Sequence, residues 1–190
     1  MKKLSEKVLF QGKWLSLVEL IYRTKDGKSI AWETVRRKTS PFGVVVIAKL
    51  VPSNRFILIK QFRPAVGGYV LGFVAGLADG NPQQALAELK EETGYVGKIV
   101  AVSPTLKTGS SIIDDSGMII HVEVNEKDHR NKNPRQDLEP GEDIEVCLVK
   151  RKDIEKFLMK EHKTGTHISA NLWYLFVTSE MILKSDKATK

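Results

Sequence analysis

The sequence predicts an α/β fold with a small antiparallel β unit at its N-terminus, and three features point there. Apolar runs of strand length recur at residues 44–51, 56–60, 118–124 and 144–149. Stretches with helical apolar spacing lie between or after them, at 82–93, 152–160 and 167–183. Ahead of both, residues 14–22 and 29–37 read as two strands around Asp26-Gly27, a hairpin turn signal.

Composition narrows the class. A chain of 190 residues makes one domain, or one domain with a small appendage, and buries a sizeable core. Its 42% hydrophobic and 28% charged content is ordinary for a soluble globular protein. The one cysteine, Cys147, excludes an internal disulfide, and Val146, Leu148 and Val149 around it predict a buried, inert thiol. Cys/His metal spacing is absent. The first ten residues carry lysines but no long apolar run, which predicts neither a secretory leader nor a membrane span. A reducing, cytoplasmic location is expected. The net charge of +7 comes from lysines and arginines concentrated at the ends and around residues 126–135. With no nucleic-acid module in the chain, nucleic acid is not expected as a partner.

Taken in order, the strands at 44–51 and 56–60 are joined by the turn Pro52-Ser53-Asn54. Arg63-Pro64 follows at the strand exit, ahead of Gly67-Gly68; a planar guanidinium beside glycines that admit close backbone approach suits a phosphate. Residues 69–75 then lead into the segment GLADGNPQQALAELKEETGY at 76–95, a glycine loop feeding a short helix. Asn81 is placed as its N-cap, Pro82 as the first helical residue and Gly94 as its left-handed terminator, which gives about three turns. Glu88, Glu91 and Glu92 then share one face, opposite Ala85, Leu86 and Leu89. Like charges so spaced repel unless a cation lies between them. The residues alone fit either a solvated acidic face or a site for an oxygen-loving divalent cation, Mg²⁺ or Mn²⁺.

Beyond the helix, residues 98–102 and 118–124 read as strands, and Asp114-Asp115-Ser116-Gly117 as a solvated turn. Residues 128–141 form a long polar segment with Pro134 and Pro140, expected to be a mobile functional loop that ends at Glu142. His121 and His167 read as structural or surface residues, and the tail SDKATK as frayed.

Several of these pieces together resemble the Nudix hydrolases, and within them the ADP-ribose (ADP-sugar) pyrophosphatases. The family's box reads G-x5-E-x7-R-E-U-x-E-E-x-G-U, with U apolar. Its second half is present here as Glu88-Leu89-Lys90-Glu91-Glu92-Thr93-Gly94-Tyr95. The likeness extends over residues 9–182 through Gln11-Gly12-Lys13-Trp14, Trp32-Glu33-Thr34-Val35, Lys60-Gln61-Phe62-Arg63-Pro64, Gly67-Gly68-Tyr69, Ala75-Gly76-Leu77 and Pro140-Gly141-Glu142. The first half of the box departs from the pattern. Its loop is three residues short, it holds no glutamate, and Ala87 stands in the place of the arginine. Gly72 and Val74 replace a glutamate and a proline usual in the preceding strand.

The resemblance implies an α/β/α sandwich over residues 41–190 and a dimer-forming β unit over 1–40, hence a homodimer. It implies hydrolysis of a nucleoside diphosphate sugar such as ADP-ribose with Mg²⁺ or Mn²⁺. Glu88, Glu91, Glu92 and the Ala75 carbonyl would hold the metal, with Glu91 as ligand or tuner. Glu142 would activate water. Trp32 and Trp14 would stack on the base, Arg37 and Arg63 would contact the phosphates, and Leu77 would line the substrate site. Both tryptophans also fit as cross-strand packing residues. A protein that binds ADP-ribose-like nucleotides with little turnover, and an enzyme for a different pyrophosphate fitted to the shorter loop, remain alternatives.

Overall fold

The computed structural model describes residues 1–40 and 42–182. The expected frayed tail, 185–190, lies outside the described residues. Three N-terminal strands, β1 (Lys2–Gln11), β2 (Leu15–Arg23) and β3 (Ser29–Arg37), form an antiparallel sheet of their own. β2 and β3 meet as the sequence predicts, with Leu20 opposite Trp32 and Gly27 in the left-handed conformation the turn requires. β1 was not anticipated: all ten of its residues are exposed, so no apolar alternation marks it.

The second sheet has nine strands. Its central pair, β4 (Phe42–Val51) and β5 (Arg55–Arg63), is an antiparallel hairpin. β6 (Gly68–Gly72) pairs with β5 and β7 (Val74–Ala78) with β4. After helix α1 (Gln84–Thr93) come β8 (Lys98–Val102), the two-residue β9 (Leu106–Lys107) and β10 (Ser116–Asn125), which runs parallel to β4. β11 (Ile144–Lys150) adds to the other edge of β5. A 3₁₀ turn, Arg151–Asp153, leads into α2 (Ile154–Lys163).

The period of two along the central strands separates two cores. Val44, Val46, Ala48 and Leu50 of β4, with Ile57 and Ile59 of β5, face α1 and pack on Ala85 and Leu89. The alternate residues Ile47 and Leu58 pack with Ile154 and Leu158 of α2 and with Leu172 and Phe176 near the C-terminus. Helices therefore cover both faces of the sheet, the expected α/β/α sandwich. Cys147, half-buried in the second core, has its thiol pushed up to about 11 by burial and by Glu145 and Glu161, which makes it inert.

Helix boundaries differ from expectation: α2 covers Ile154–Lys163 rather than 152–160, behind its 3₁₀ turn. The last helix begins at Ala170 rather than 167, because His167–Ile168 is taken up as β12, pairing in parallel with β6. Helix α3 (Ala170–Trp173) then passes through a π-helical turn at Tyr174–Thr178. The box helix starts at Gln84 rather than Pro82. Asn81 still ties its first turn, Oδ1 accepting from the Gln83 N–H at 3.0 Å, and Gly94 ends it at φ 76°, its N–H donating to the Lys90 carbonyl.

Candidate active site

The two central strands part company. They pair only over Ala48–Leu50 with Arg55–Ile57; beyond that β4 turns to β7 while β5 turns to β6. The wedge opens a cleft in the sheet, and α1 lies along β7 at its side. The cleft has two chambers that share Val45, Phe73, Ala75 and Asn171. The larger, about 640 Å³, is walled by Arg37, Leu77, Leu106, Met118 and Tyr174 among others, and the smaller is about 180 Å³.

Glu88, Glu92 and Glu142 lie within electrostatic reach of one another, and Glu92 also lies beside the Ala75 backbone. Glu92 is 3% exposed, and its Oε2 has no hydrogen-bond partner among the described residues. Burial, then the charges of Glu88 and Glu142, push its carboxyl up to about 8, against the opposing pull of Arg63 and the Ala75 backbone. Half-buried Glu88 is raised too, by burial and then by Glu91, Glu142 and Glu139. Glu91 itself is exposed.

The segment that carries Glu142 is tied to its surroundings by hydrogen bonds. The Gln136 side-chain amide donates to the Glu92 and Ile144 carbonyls at 2.7 and 3.0 Å, and the Asp137 N–H to the Glu91 carbonyl at 2.9 Å. Asn131 bridges Val96 and Asn125. Asp143 receives the Tyr69 hydroxyl. Glu142 Oε2 accepts from the Glu139 N–H at 2.9 Å, which closes a tight turn.

The donor set fits a hard divalent cation. It is all oxygen, partly buried, and carries more negative charge than Arg63 offsets, with one orphaned carboxylate oxygen. Among the described residues no three such side chains already stand in cage geometry. Gly76 is part of this arrangement, since a Cβ there would overlap the Glu88 carboxylate. Its φ is not in the left-handed region, so alanine suits the backbone and only Glu88 must move. Gly76→Ala is expected to cost about 1 kcal/mol or less in stability while lowering Mn²⁺ affinity roughly 10- to 100-fold. Thermal melts and calorimetric Mn²⁺ titration check both; unchanged Mn²⁺ affinity would remove Glu88 from the metal set.

Other predicted residues lie further out. Arg63 ends β5 and lines the smaller chamber, and Leu77, half-exposed, lines the larger. Arg37 lines the larger chamber too, but its Nε donates to Asp115 Oδ2 at 2.7 Å. Asp114 likewise receives Arg36 Nε at 3.0 Å, and Arg36 also binds Glu6. The Asp114-Asp115 pair is thus no solvated turn; it ties the N-terminal sheet to the main sheet. Within one chain neither tryptophan lines the cleft. Trp32 donates its indole N–H to the Ser111 carbonyl at 3.2 Å, on the loop that carries Asp115, and Trp14 is 64% exposed under the Lys13 ammonium.

An opened mixed sheet between helical layers, with a helix carrying carboxylates at the side of the cleft, defines the class of fold. Comparison with known proteins identifies the family. The chain is 34% identical over 179 residues to nudix hydrolase 2 of Caenorhabditis elegans, covering 88% of this chain and 80% of that protein. It is 33% identical to the ADP-sugar pyrophosphatase of Mus musculus, over 79% of this chain and 73% of the relative. It is 32% identical to the ADP-ribose pyrophosphatase of Saccharomyces cerevisiae, over 84% and 74%. The fold matches the crystal structure of an ADP compounds hydrolase at TM-score 0.63 and 18% identity, over 87% of this chain and 96% of that one. No family model matches the chain. The protein belongs to the Nudix hydrolase family and is an enzyme of that family.

Proposed function

We propose that this enzyme hydrolyses the pyrophosphate bond of an ADP-ribose-like nucleoside diphosphate sugar, releasing a nucleoside monophosphate and a sugar phosphate. The observation that carries the reading is the convergence of Glu88, Glu92 and Glu142 with Arg63 around Ala75, where the two chambers meet. The pyrophosphatase relatives support the substrate class.

Glu88, Glu91, Glu92 and the Ala75 carbonyl are the groups for Mg²⁺ or Mn²⁺. A cation held there neutralises the pyrophosphate and stabilises charge developing at phosphorus. Arg63 supplies a fixed positive charge next to Glu92 and donates to phosphate oxygens. Arg37, oriented by Asp115, does the same from the larger chamber. Glu142, held by the Glu139 N–H, takes the proton from the attacking water. Leu77 offers apolar contact to the nucleoside.

The chain acts as a homodimer through residues 1–40. β1 is exposed along its whole length, and Leu4, Val8, Leu9, Phe10, Trp14 and Trp32 leave an apolar surface on this sheet that a second copy would cover. Trp32, half-exposed and hydrogen-bonded to the Ser111 carbonyl, is the residue through which that copy would complete the base site.

The test is product release from ADP-ribose, other nucleotide sugars and dinucleoside polyphosphates, with Mg²⁺, with Mn²⁺ and with chelator. Turnover of nucleotide sugars that chelation abolishes is expected. No turnover on any of them, with ADP-ribose still bound, would leave a ligand-binding protein instead.

A further inference from the structure

We infer that the smaller chamber is a sugar pocket, and that Gln61 is the residue that selects a hydroxyl-bearing sugar on the far side of the pyrophosphate. The inference rests on the substrate class proposed above and deepens it. Gln61 sits near the end of β5, 7% exposed, and its side-chain Oε1 has no hydrogen-bond partner among the described residues. It lines the 180 Å³ chamber with Arg63, Gly72, Ser169 and Asn171. A buried acceptor left unpaired costs about 1–3 kcal/mol. It therefore calls for a donor from whatever occupies the chamber.

The chemistry of the walls narrows the occupant. Gln61, Ser169 and Asn171 are neutral and offer both donors and acceptors; among the described residues Arg63 is the one charged group that lines the chamber, and no carboxylate does. Vicinal hydroxyls of a sugar ring, each both donor and acceptor, match that set. A ring hydroxyl placed there donates the hydrogen bond that the Gln61 Oε1 lacks. At Gly72 a Cβ would meet Ser169 in ordinary contact, so the glycine leaves the ring that much more room.

Position supports the same assignment. The chamber joins the larger, more apolar one at Ala75, beside the carboxylates. A substrate with its pyrophosphate at Ala75 would extend its base end toward Leu77 and Leu106 and its sugar end toward Gln61. The larger chamber has the volume for a nucleoside; the smaller fits a single sugar ring.

The test is calorimetric binding of ADP-ribose and of ADP in chelator, with wild type, Gln61→Met and Asn171→Ala, so that turnover plays no part. Wild type is expected to bind ADP-ribose at least about 10-fold tighter than ADP, and Gln61→Met, nearly isosteric and without the acceptor, to lose most of that difference at unchanged ADP affinity. Asn171→Ala should reduce the difference in the same direction, and thermal melts establish that both variants fold. Equal binding of the two ligands by wild type, equal weakening of both by Gln61→Met, or binding of neither would overturn the inference. If the discrimination is found and depends on Gln61 while hydrolysis of nucleotide sugars is absent, the sugar pocket stands and the proposed reaction falls.

Discussion

Glu92→Gln is expected to make the metal-free protein more stable and the enzyme inactive. Glu92 is buried with one oxygen unpartnered, and Glu88 and Glu142 add negative charge beside it. Its carboxyl, ordinarily near 4.5, is raised to about 8 in the fold. The folded state therefore holds the proton more tightly than the unfolded state, and folding loses stability as pH rises from 4.5 toward 8. Below that window both states are protonated and no penalty exists; above it the penalty is complete. At pH 7 it amounts to at most about 3 kcal/mol. Glutamine keeps the shape and removes the charge. In chelator the variant should melt several degrees higher at pH 8, by roughly 2–4 °C per kcal/mol, and no higher at pH 4.5. Hydrolysis should fall by more than the roughly 10- to 100-fold that follows loss of a ligand's outer partner. Equal melting temperatures at pH 8, or wild-type turnover, would contradict this account of Glu92.

That opposition between stability and function explains what the sequence could and could not reveal. The apolar strands and the amphipathic helices were legible because period two and period 3.6 are set by burial, and the two cores divide along those periods. The acidic face of α1 was legible as a pattern, but its residues alone left both a cation site and a solvated surface open, with the solvated surface the commoner outcome for such spacing. Burial then divides that face in a way the pattern does not show: Glu91 is exposed, while Glu92, one position on, is enclosed. β1 gave no signal because a strand exposed on every residue has no alternation to show. The Arg36 and Arg37 pairs to Asp114 and Asp115 join residues 78 apart, a distance no local pattern spans. Gln61 was visible in the Lys60-Gln61-Phe62-Arg63 run, yet a polar residue in an apolar strand acquires meaning only once the sheet is seen to open beneath it.

Glu142→Gln should separate chemistry from binding. The carboxylate accepts the Glu139 N–H at 2.9 Å, and a glutamine carbonyl accepts the same bond, so the turn and the loop anchored by Gln136 persist. What is lost is the ability to take a proton from water, a contribution of about 10²- to 10⁴-fold. kcat should fall by that order while KM for ADP-ribose changes little, because Glu142 is assigned to water rather than to the substrate. Glu139 provides the control, since its charge also reaches Glu88 and it lies three residues away in the same turn. Glu139 interacts with Glu142 through its backbone, which Glu139→Gln preserves, so that variant should retain turnover within a few-fold. The reverse result, a large loss in Glu139→Gln and a small one in Glu142→Gln, would move the base to Glu139. Comparable losses in both would mean that the loop supplies negative charge to the site as a whole and that no single carboxylate on it accepts the proton.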